Sequence, residues 1–361
     1  MVKIGILTFH RAYNYGAILQ AFALQKKLLS LGYDSEIIDY LSVKKQKQTK
    51  LFSYKTNMSV KQNLTNFVKD FYRKKKNRNF DLFMLEEMQL SKKSYSSFEE
   101  MAKLDNSGEY DVYIVGSDQV WNSKNNLRDK TFLLSFVSDN NKRCSYAASI
   151  GSDILDTEMT ALYSEEIKKF RVLSVRERSA IEKYDFLKQN NAIEVLDPTL
   201  LLEKSDYEKI ASKRKVTQKY AFIYTIANDR NLRSYARKFC KEKGIVLIDS
   251  KKSSQFFKNS DPRDFLSYFI HADYIFTNSF HGTAFSIILN KQFAVELKTA
   301  KSLNNRSRDL LLKTNLLDRD IDSENFNIEQ KIDYIKIAES INALKLSSTD
   351  ILKQIAEVDK L

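Results

Sequence analysis

The sequence is poor in cysteine, proline, glycine and histidine, and each shortage excludes a class of protein. Two cysteines among 361 residues cannot form a disulfide framework or a cysteine-rich zinc site, and they are typical of a reducing cytosol. Two prolines and eight glycines exclude collagen-like and low-complexity chains. Because the chain has three histidines, we expect no multi-histidine metal site and no metal in its chemistry.

Long apolar runs are also missing. No run approaches the roughly 18 residues that a membrane span needs, and the run at residues 4–9 is too short for a signal peptide. We therefore expect a cytoplasmic protein. Hydrophobic residues make up 43% of the chain, enough for a packed core. The length fits two domains of roughly 150–200 residues each.

Positive charge is concentrated in one segment. The formal net charge is +13, and residues 44–78 contain twelve basic residues and one acid, Asp70. Aromatic residues lie among them: Phe52, Tyr54, Phe67, Phe71 and Tyr72. This composition predicts an anionic membrane surface as a partner, with the protein peripheral at the inner face of the membrane. A solvated helical face is the alternative. No nucleic acid is expected, because the segment has no recognised nucleic-acid-binding motif.

Apolar runs of strand length alternate with helical spacings along the chain. Residues 2–9, 17–31 and 35–40 predict a strand, a helix and a second strand, which together form a right-handed βαβ unit. Further strands are predicted at residues 112–115, 144–148, 172–175, 193–196, 220–226, 245–248, 274–277 and 293–297. Further helices are predicted at residues 60–88, 231–243, 262–271 and 283–289 and from 328 onward. The pattern predicts an α/β fold of two Rossmann-like domains that face each other across a cleft, with mostly parallel sheets, C-terminal helices and sites at the carboxyl ends of the strands.

The turn after the first strand is the first candidate binding site. It lacks the G-x-G-x-x-G fingerprint of dinucleotide-binding proteins. Asn14 and Gly16 lie where a helix begins, and free backbone amides there bind anions or sugar hydroxyls. His10 follows the strand end and is expected to point toward the cleft. An ordinary capped turn with a structural histidine is the alternative.

Two further strands end in polar residues. Residues 116–122 (GSDQVWN) offer Asp118, Gln119 and Asn122 to sugar hydroxyls and the ring of Trp121 to a sugar face. An N-capped helix start with a core tryptophan is the alternative. Arg176 ends a buried-type strand, where a guanidinium can bind a carboxylate or a phosphate in a bidentate way. The alternative is a structural pair of Arg176 with the acid that follows it.

The segment 277–283 (TNSFHGT) is the most specific signal in the sequence. A strand ends there, a helix begins, and Asn278, Ser279 and His281 supply small polar groups and one imidazole. A structural histidine is the alternative. Arg306 and Arg308 follow the last predicted strand and are candidates to bind a phosphate, although a solvated basic turn is an equal reading.

Together these motifs resemble the polysaccharide pyruvyl transferase family, in family order from about residue 2 to about residue 320. The matching pieces are NYGAILQA (14–21), GSDQVWN (116–122), SYAAS (145–149), SVRE (174–177), DPT (197–199), TNSFHGTA (277–284) and N-x-R (304–306) followed by LL (310–311). The basic segment 44–78 lies outside this shared set.

The resemblance implies a fold like that of GT-B glycosyltransferases and a role in bacterial surface polysaccharide biosynthesis. The restart of the strand pattern after a polar linker predicts an N-terminal acceptor domain at residues 1–205 with a basic helical insertion at 44–90, a donor domain at 215–325 and C-terminal helices at 326–361. The implied reaction transfers pyruvate from phosphoenolpyruvate to a sugar or a lipid-linked oligosaccharide as a cyclic ketal. Phosphoenolpyruvate is then the donor substrate, and no further cofactor is expected.

The implied chemistry suits the candidate residues. Arg176, Arg306 and Arg308 can bind the donor's carboxylate and phosphate. His281 is the candidate general acid or phosphate clamp, a choice that the sequence leaves open. Asp118 can orient or deprotonate an acceptor hydroxyl. A nucleotide-sugar glycosyltransferase of the GT-B type and a non-catalytic glycan-binding protein are the alternative functions.

Overall fold

The computed structural model describes residues 1–42, 46, 59–151, 155–226, 229–258, 261–297 and 305–358. Most of the first half of the basic segment, including Phe52 and Tyr54, therefore lies outside the described residues. The same applies to residues 298–304, which precede Arg306. None of the described helices combines the length and the apolarity that crossing a bilayer requires.

The first half of the chain forms a five-stranded sheet in which every pair of neighbours is parallel. Its strands are β1 (Lys3–Leu7), β2 (Asp34–Tyr40), β3 (Leu90–Tyr95), β4 (Val112–Val115) and β5 (Arg143–Ser145), in the order β3-β2-β1-β4-β5. Residues 4–7 of β1 (IGIL) and all of β4 (VYIV) are apolar and buried, as expected for strands of a parallel sheet that is covered on both faces. Isolated bridges continue the sheet from β5 toward a parallel pair, β6 (Ser174–Val175) and β7 (Ile193–Glu194).

The helices of the first half are α1 (Tyr15–Ser30), α2 (Val60–Glu87), α3 (Phe98–Asn106), α4 (Thr157–Ile167), α5 (Arg178–Lys183) and α6 (Asp185–Gln189). The basic helix α2 connects β2 to β3, and its C-terminal half buries Phe80, Phe83 and Met84 in the core. The strand β3 and the helix α3 were not predicted. Lys92 and Lys93 make the β3 sequence polar, and an edge strand tolerates such residues because one of its sides stays in water.

The second half of the chain forms a four-stranded parallel sheet. Its strands are β8 (Tyr220–Tyr224), β9 (Val246–Asp249), β10 (Tyr274–Thr277) and β11 (Gln292–Val295), in the order β11-β10-β8-β9. Its helices are α7 (Lys204–Ile210), α8 (Arg230–Lys243), α9 (Ser254–Lys258), α10 (Pro262–Ile270), α11 (Phe280–Ile288), α12 (Asn305–Lys313) and α13 (Tyr334–Ala356). Two parallel α/β sheets facing across a cleft confirm the predicted GT-B-like fold class.

The two halves share one hydrophobic core. Tyr15 at the start of α1 stacks on Phe265 of α10 with ring centroids 4.5 Å apart. The C-terminal helix α13 packs back against the first half, where the Arg171 side chain donates to the backbone carbonyls of Gln354, Ile355 and Glu357. These contacts hold both sheets beside the cleft. The predicted domain limits at 205, 215 and 325 stay predictions.

Candidate active site

A cleft of about 320 Å³ opens between the two sheets at the carboxyl ends of their strands. Loops that follow β1, β2, β4, β8 and β10 contribute its walls, and α12 adds Arg306. This is the edge at which open parallel sheets bind ligands. It brings chemistry from both halves of the chain to one place.

His281 lies in the first turn of α11, where the second half meets the first. The helix starts at Ser279, whose hydroxyl accepts a hydrogen bond from the backbone N–H of Gly282 (3.4 Å). The imidazole is 8% exposed, and its Nε2 has no hydrogen-bond partner within the described residues. The ring packs against the backbone of Gly16 in α1, where a Cβ would come within 2.7 Å of Cε1 and closer to two other ring atoms. Only glycine leaves room for the imidazole there.

Asp197 is the buried carboxylate beside His281. Its Oδ2 lies 3.7 Å from His281 Nε2 and accepts hydrogen bonds from Arg176 Nη1 and Ser117 Oγ, each at 2.9 Å. Its Oδ1 accepts from the backbone N–H and the hydroxyl of Thr199 (3.0 and 2.7 Å). Four donors therefore fix this carboxylate, and an ionised Asp197 is a charge partner for a proton carried on His281 Nε2.

Two arginines lie against the ring of Phe280. The guanidinium carbon of Arg176 is 4.7 Å from the ring centroid and that of Arg306 is 5.8 Å away. Glu177 approaches both, with its Oε1 3.1 Å from Arg176 Nε and 3.8 Å from Arg306 Nε. The Nη2 of Arg176 is buried and has no hydrogen-bond partner in the described part of the chain. An aromatic face attracts a cation without neutralising it, so this packing leaves guanidinium charge available to an anion.

The surroundings of Asp197 and Arg176 shift the pKa of each group in favour of its ionised form. The surroundings of Arg306 shift its pKa in the opposite direction. Burial raises the pKa of Asp197, but nearby His281 and Arg176 outweigh it and hold that pKa far below its usual value. Burial lowers the pKa of Arg176, but the charges of Glu177, Asp197 and Asp118 outweigh it and raise the pKa above the guanidinium range. Burial, followed by the charge of Arg176, lowers the pKa of Arg306. An anion bound beside Arg306 would relieve this repulsion.

A sequence model of the polysaccharide pyruvyl transferase family matches residues 14–295, well over half of the chain. The chain belongs to this family. Family membership implies a transferase. The match includes Gly16, Asp197 and His281, and Arg306 lies just beyond its end. No curated protein sequence matches the chain.

Solved structures with a similar fold come from nucleotide-sugar enzymes. UDP-GlcNAc 2-epimerase from Methanocaldococcus jannaschii is 11% identical, covers 98% of each chain and has a TM-score of 0.48. UDP-GlcNAc 2-epimerase from Neisseria meningitidis is 10% identical, covers 99% of this chain and 95% of its own, and has a TM-score of 0.43. ADP-heptose LPS heptosyltransferase II from E. coli is 12% identical, covers 96% and 99%, and has a TM-score of 0.39. The strand orders described above, and not these distant similarities, establish the fold.

Most of the residues predicted as site residues of this pyruvyl transferase family member meet at the cleft. The lining includes His281, Asp118, Ser279, Asn14, Gln119 and Arg306. In the orientation that satisfies its hydrogen bonds, the Gln119 amide oxygen accepts from Arg306 Nη2 and Nη1 at 2.6 and 3.1 Å. Asn14 caps α1 by accepting from the backbone N–H groups of Gly16 and Ala17. Asn278 is buried and accepts from the backbone N–H of Ile226, so it orients the β8 loop at the cleft.

Four predicted site residues lie elsewhere. Both ring nitrogens of the buried His10 are within hydrogen-bonding distance of protein groups, Nδ1 of the Thr8 carbonyl and Nε2 of Asp39, so it is not directed at the cleft. Trp121 is fully buried and donates its Nε1–H to the Phe132 carbonyl. The side chain of Asn122 is buried and accepts from the backbone N–H groups of Lys124 and Asn125 in the same loop. Arg308 is exposed and does not line the described part of the cleft.

Sequence reasoning missed one basic residue and an aromatic wall. Arg11 lines the cleft, and its guanidinium is paired with Asp39 and Asp81. Phe9 and Phe132 also line it, with ring centroids 4.9 Å apart. Asp197 was visible in the DPT motif with no role assigned to it, and Glu177 was considered only as a structural partner of Arg176, a pair that the structure does contain. Nothing in the linear sequence links Phe9 to Phe132, which lies more than a hundred residues away.

Proposed function

We propose that this chain transfers pyruvate from phosphoenolpyruvate to a sugar, forms a cyclic ketal on two of its hydroxyls and releases phosphate. One observation carries the proposal: the side chains of Arg176 and His281 both approach Asp197, and Arg176 Nη2 and His281 Nε2 are buried nitrogens with no hydrogen-bond partner within the described residues. A buried donor left unpaired costs about 1–3 kcal/mol. An anionic substrate group that reaches both atoms would remove that cost.

The donor would bind between Arg306 and His281. Phosphoenolpyruvate carries a carboxylate and a phosphate, and guanidinium groups bind both in a bidentate way. Arg306 lines the cleft and is held by Gln119, while Arg176 lies behind it against Phe280. The first turns of α1 and α11 also meet here, and the positive ends of the two helix dipoles favour negative charge. Glu177 and Asp197 keep the two guanidiniums in place.

His281 would supply the proton that starts the reaction. Protonation of the donor's methylene turns CH2 into CH3 and leaves a cationic carbon beside the carboxylate. The first sugar hydroxyl adds to that carbon and loses its proton, and the carbon–oxygen bond to phosphate breaks. The second hydroxyl adds, loses its proton and closes the ketal. One of the two released protons restores the acid on His281, and the other leaves with phosphate.

The acceptor sugar would lie against the aromatic wall of the cleft. Phe9 and Phe132 offer aromatic surface there, and Asn125 and Gln119 are among the polar residues that line the same cleft. Sugar rings combine apolar faces with hydroxyl edges, so a wall of this mixed composition suits them. Asp118 would orient the attacking hydroxyl or accept its proton. That no cofactor is needed besides the donor stays a prediction.

The test uses the full chain with phosphoenolpyruvate and a panel of free and lipid-linked oligosaccharides. Phosphate release that needs both substrates, with a pyruvyl ketal on the product by mass spectrometry, would support the proposal. Transfer from a nucleotide-sugar instead would favour a glycosyltransferase. Glycan binding without turnover of either donor would favour a non-catalytic glycan-binding protein. Surface glycan from a deletion strain should lack the pyruvyl unit.

A further inference from the structure

The basic helix α2 has two apolar faces, and only one of them is covered. Its inner face buries Phe80, Phe83 and Met84 in the core, where Phe80 lies beside Tyr15 and Phe83 beside Phe22 of α1. Its outer face leaves Phe67 and Leu85 about 70% exposed, at 69% and 71%. Large apolar side chains in water on a helix that is already anchored on its other side are a reason to look for a partner.

Seven of the exposed residues of α2 form one continuous stripe. At 100° per residue, they fall within a sector of about 100° that extends about 27 Å along the helix. We call this set the outer stripe: Phe67, Phe71, Lys74, Lys75, Arg78, Leu82 and Leu85. Two acids border it, and both have partners elsewhere, Asp81 with Arg11 and Glu86 with Arg263. Among the described residues, no acid forms an ion pair with Lys74, Lys75 or Arg78, so the outer stripe combines apolar side chains with three positive charges.

We propose that the outer stripe adsorbs to an anionic lipid surface. A helix that lies in the membrane interface carries aromatic and aliphatic side chains next to basic ones. The apolar side chains contact the acyl chains, and the basic ones contact the anionic headgroups. A second copy of this chain fits less well, since two such stripes would place three cations against three cations. A nucleic acid would neutralise the charge but leave Leu82 and Leu85 in water. Lipid alone among these partners satisfies both parts of the stripe.

The location of α2 gives the adsorption a consequence. Asp81, which borders the stripe, accepts hydrogen bonds from Tyr13 and Arg11, and Arg11 lines the cleft. Adsorption would therefore bring the cleft near the membrane plane. If the proposed function holds, a lipid-linked acceptor would reach the cleft without leaving its membrane. The adsorption itself rests on α2 alone and can be tested without turnover.

The test is flotation of the full chain with phosphatidylcholine vesicles, with and without phosphatidylglycerol, at low and high salt. We expect recovery with anionic vesicles at least tenfold above that with neutral ones. Most of it should be lost at about 1 M salt, where the Debye length falls from about 10 Å to about 3 Å. Equal recovery with both vesicle types, or none at low salt, would overturn the proposal.

Two stripe variants and one control separate the stripe from net charge. Phe67→Ser with Phe71→Ser, and Lys74→Glu with Lys75→Glu, should each lower recovery at least tenfold while the Tm stays unchanged. Lys238→Glu with Lys336→Glu removes the same charge from exposed sites on α8 and α13 and should float like the parent. Equal losses in the control and the stripe variants would refute the assignment. So would a stripe-dependent dimer in sedimentation velocity that cannot bind vesicles.

Discussion

The imidazole of His281 occupies the space that a side chain on Gly16 would need. Gly16 belongs to α1 of the first half and His281 to α11 of the second, so the candidate acid is positioned by the fit between the two halves. Because the contact is closely packed, a small displacement of one helix must displace the other. The same contact brings two helix starts to the site of the proposed donor.

Gly16→Ala should therefore impair catalysis more than folding. Alanine is the better helix former by about 1 kcal/mol, so an open site would gain stability. Overpacking here should cost about 1–3 kcal/mol and lower both the Tm and the rate of transfer. Adding His281→Ala should restore the Tm, because the clash is gone, but not the rate. A Tm that stays low in the double variant would place the strain somewhere other than this contact.

His281→Gln should separate the two roles left open for the imidazole. If His281 is the general acid, kcat should fall by about 10²–10⁴ while the Kd for phosphoenolpyruvate stays within about threefold. If it clamps phosphate, the Kd should rise and kcat should change less. Calorimetric titration and steady-state kinetics on the same preparation distinguish these results. Near-normal values of both quantities would remove His281 from the chemistry.

Much of the fold could be predicted because the decisive signals are local. The strands at 112–115 and 274–277 have the predicted bounds, since each is a short apolar run between polar residues. The helix predicted at 283–289 begins three residues earlier, because Ser279 caps it and Gly282 is tolerated inside it. The last helix begins at Tyr334, not at 328. The polar strand β3 has no apolar signal and could not be found this way.

The site was harder to predict, because its geometry depends on distant partners. Trp121 and Phe132 both follow strand β4 along the chain, yet of the two only Phe132 lines the cleft. Trp121 is buried and donates a hydrogen bond to the backbone carbonyl of Phe132. His10 looked free in the sequence, but its partner Asp39 lies on the next strand. The motifs that contain Asp197 and His281 were recognisable in the sequence. The distance of 3.7 Å between Asp197 Oδ2 and His281 Nε2 could be seen only in the folded chain.

Arg306→Gln should weaken donor binding. A charged hydrogen bond is worth about 1.5–3 kcal/mol, so the Kd for phosphoenolpyruvate should rise at least tenfold in calorimetric titration. Arg308→Gln is the matched control, because it removes the same charge from an exposed site on the same helix and should leave the Kd unchanged. If both variants bind like the parent, Arg306 has a structural role with Gln119 and Glu177.

Phe9→Ala should affect the acceptor and spare the donor. Phe9 is half-buried beside Phe132 on the wall assigned to the sugar. We expect the KM for the glycan to rise about tenfold and the Kd for phosphoenolpyruvate to stay within error, because the proposed donor site is built from Arg306 and His281 and not from this aromatic pair. Phe98→Ala, at an exposed aromatic outside the cleft lining, is the control. A parallel loss of donor affinity would mean that the two subsites are not separate.

Asp309→Asn should stabilise the protein at pH 8, with a gain that disappears in acid. Burial raises the pKa of Asp309 to about 6, and the Lys313 ammonium only partly offsets it. The folded state therefore binds this proton more tightly than the unfolded state, whose pKa is about 3.9.

Charging Asp309 above pH 6 costs stability, and that cost is absent below about pH 4. The Tm difference from the parent should be largest at pH 8 and shrink mainly between about pH 6 and about pH 4. Asp350→Asn, at an exposed carboxylate, should show no such trend. A difference that is constant with pH would show that the charge of Asp309 is not its cause.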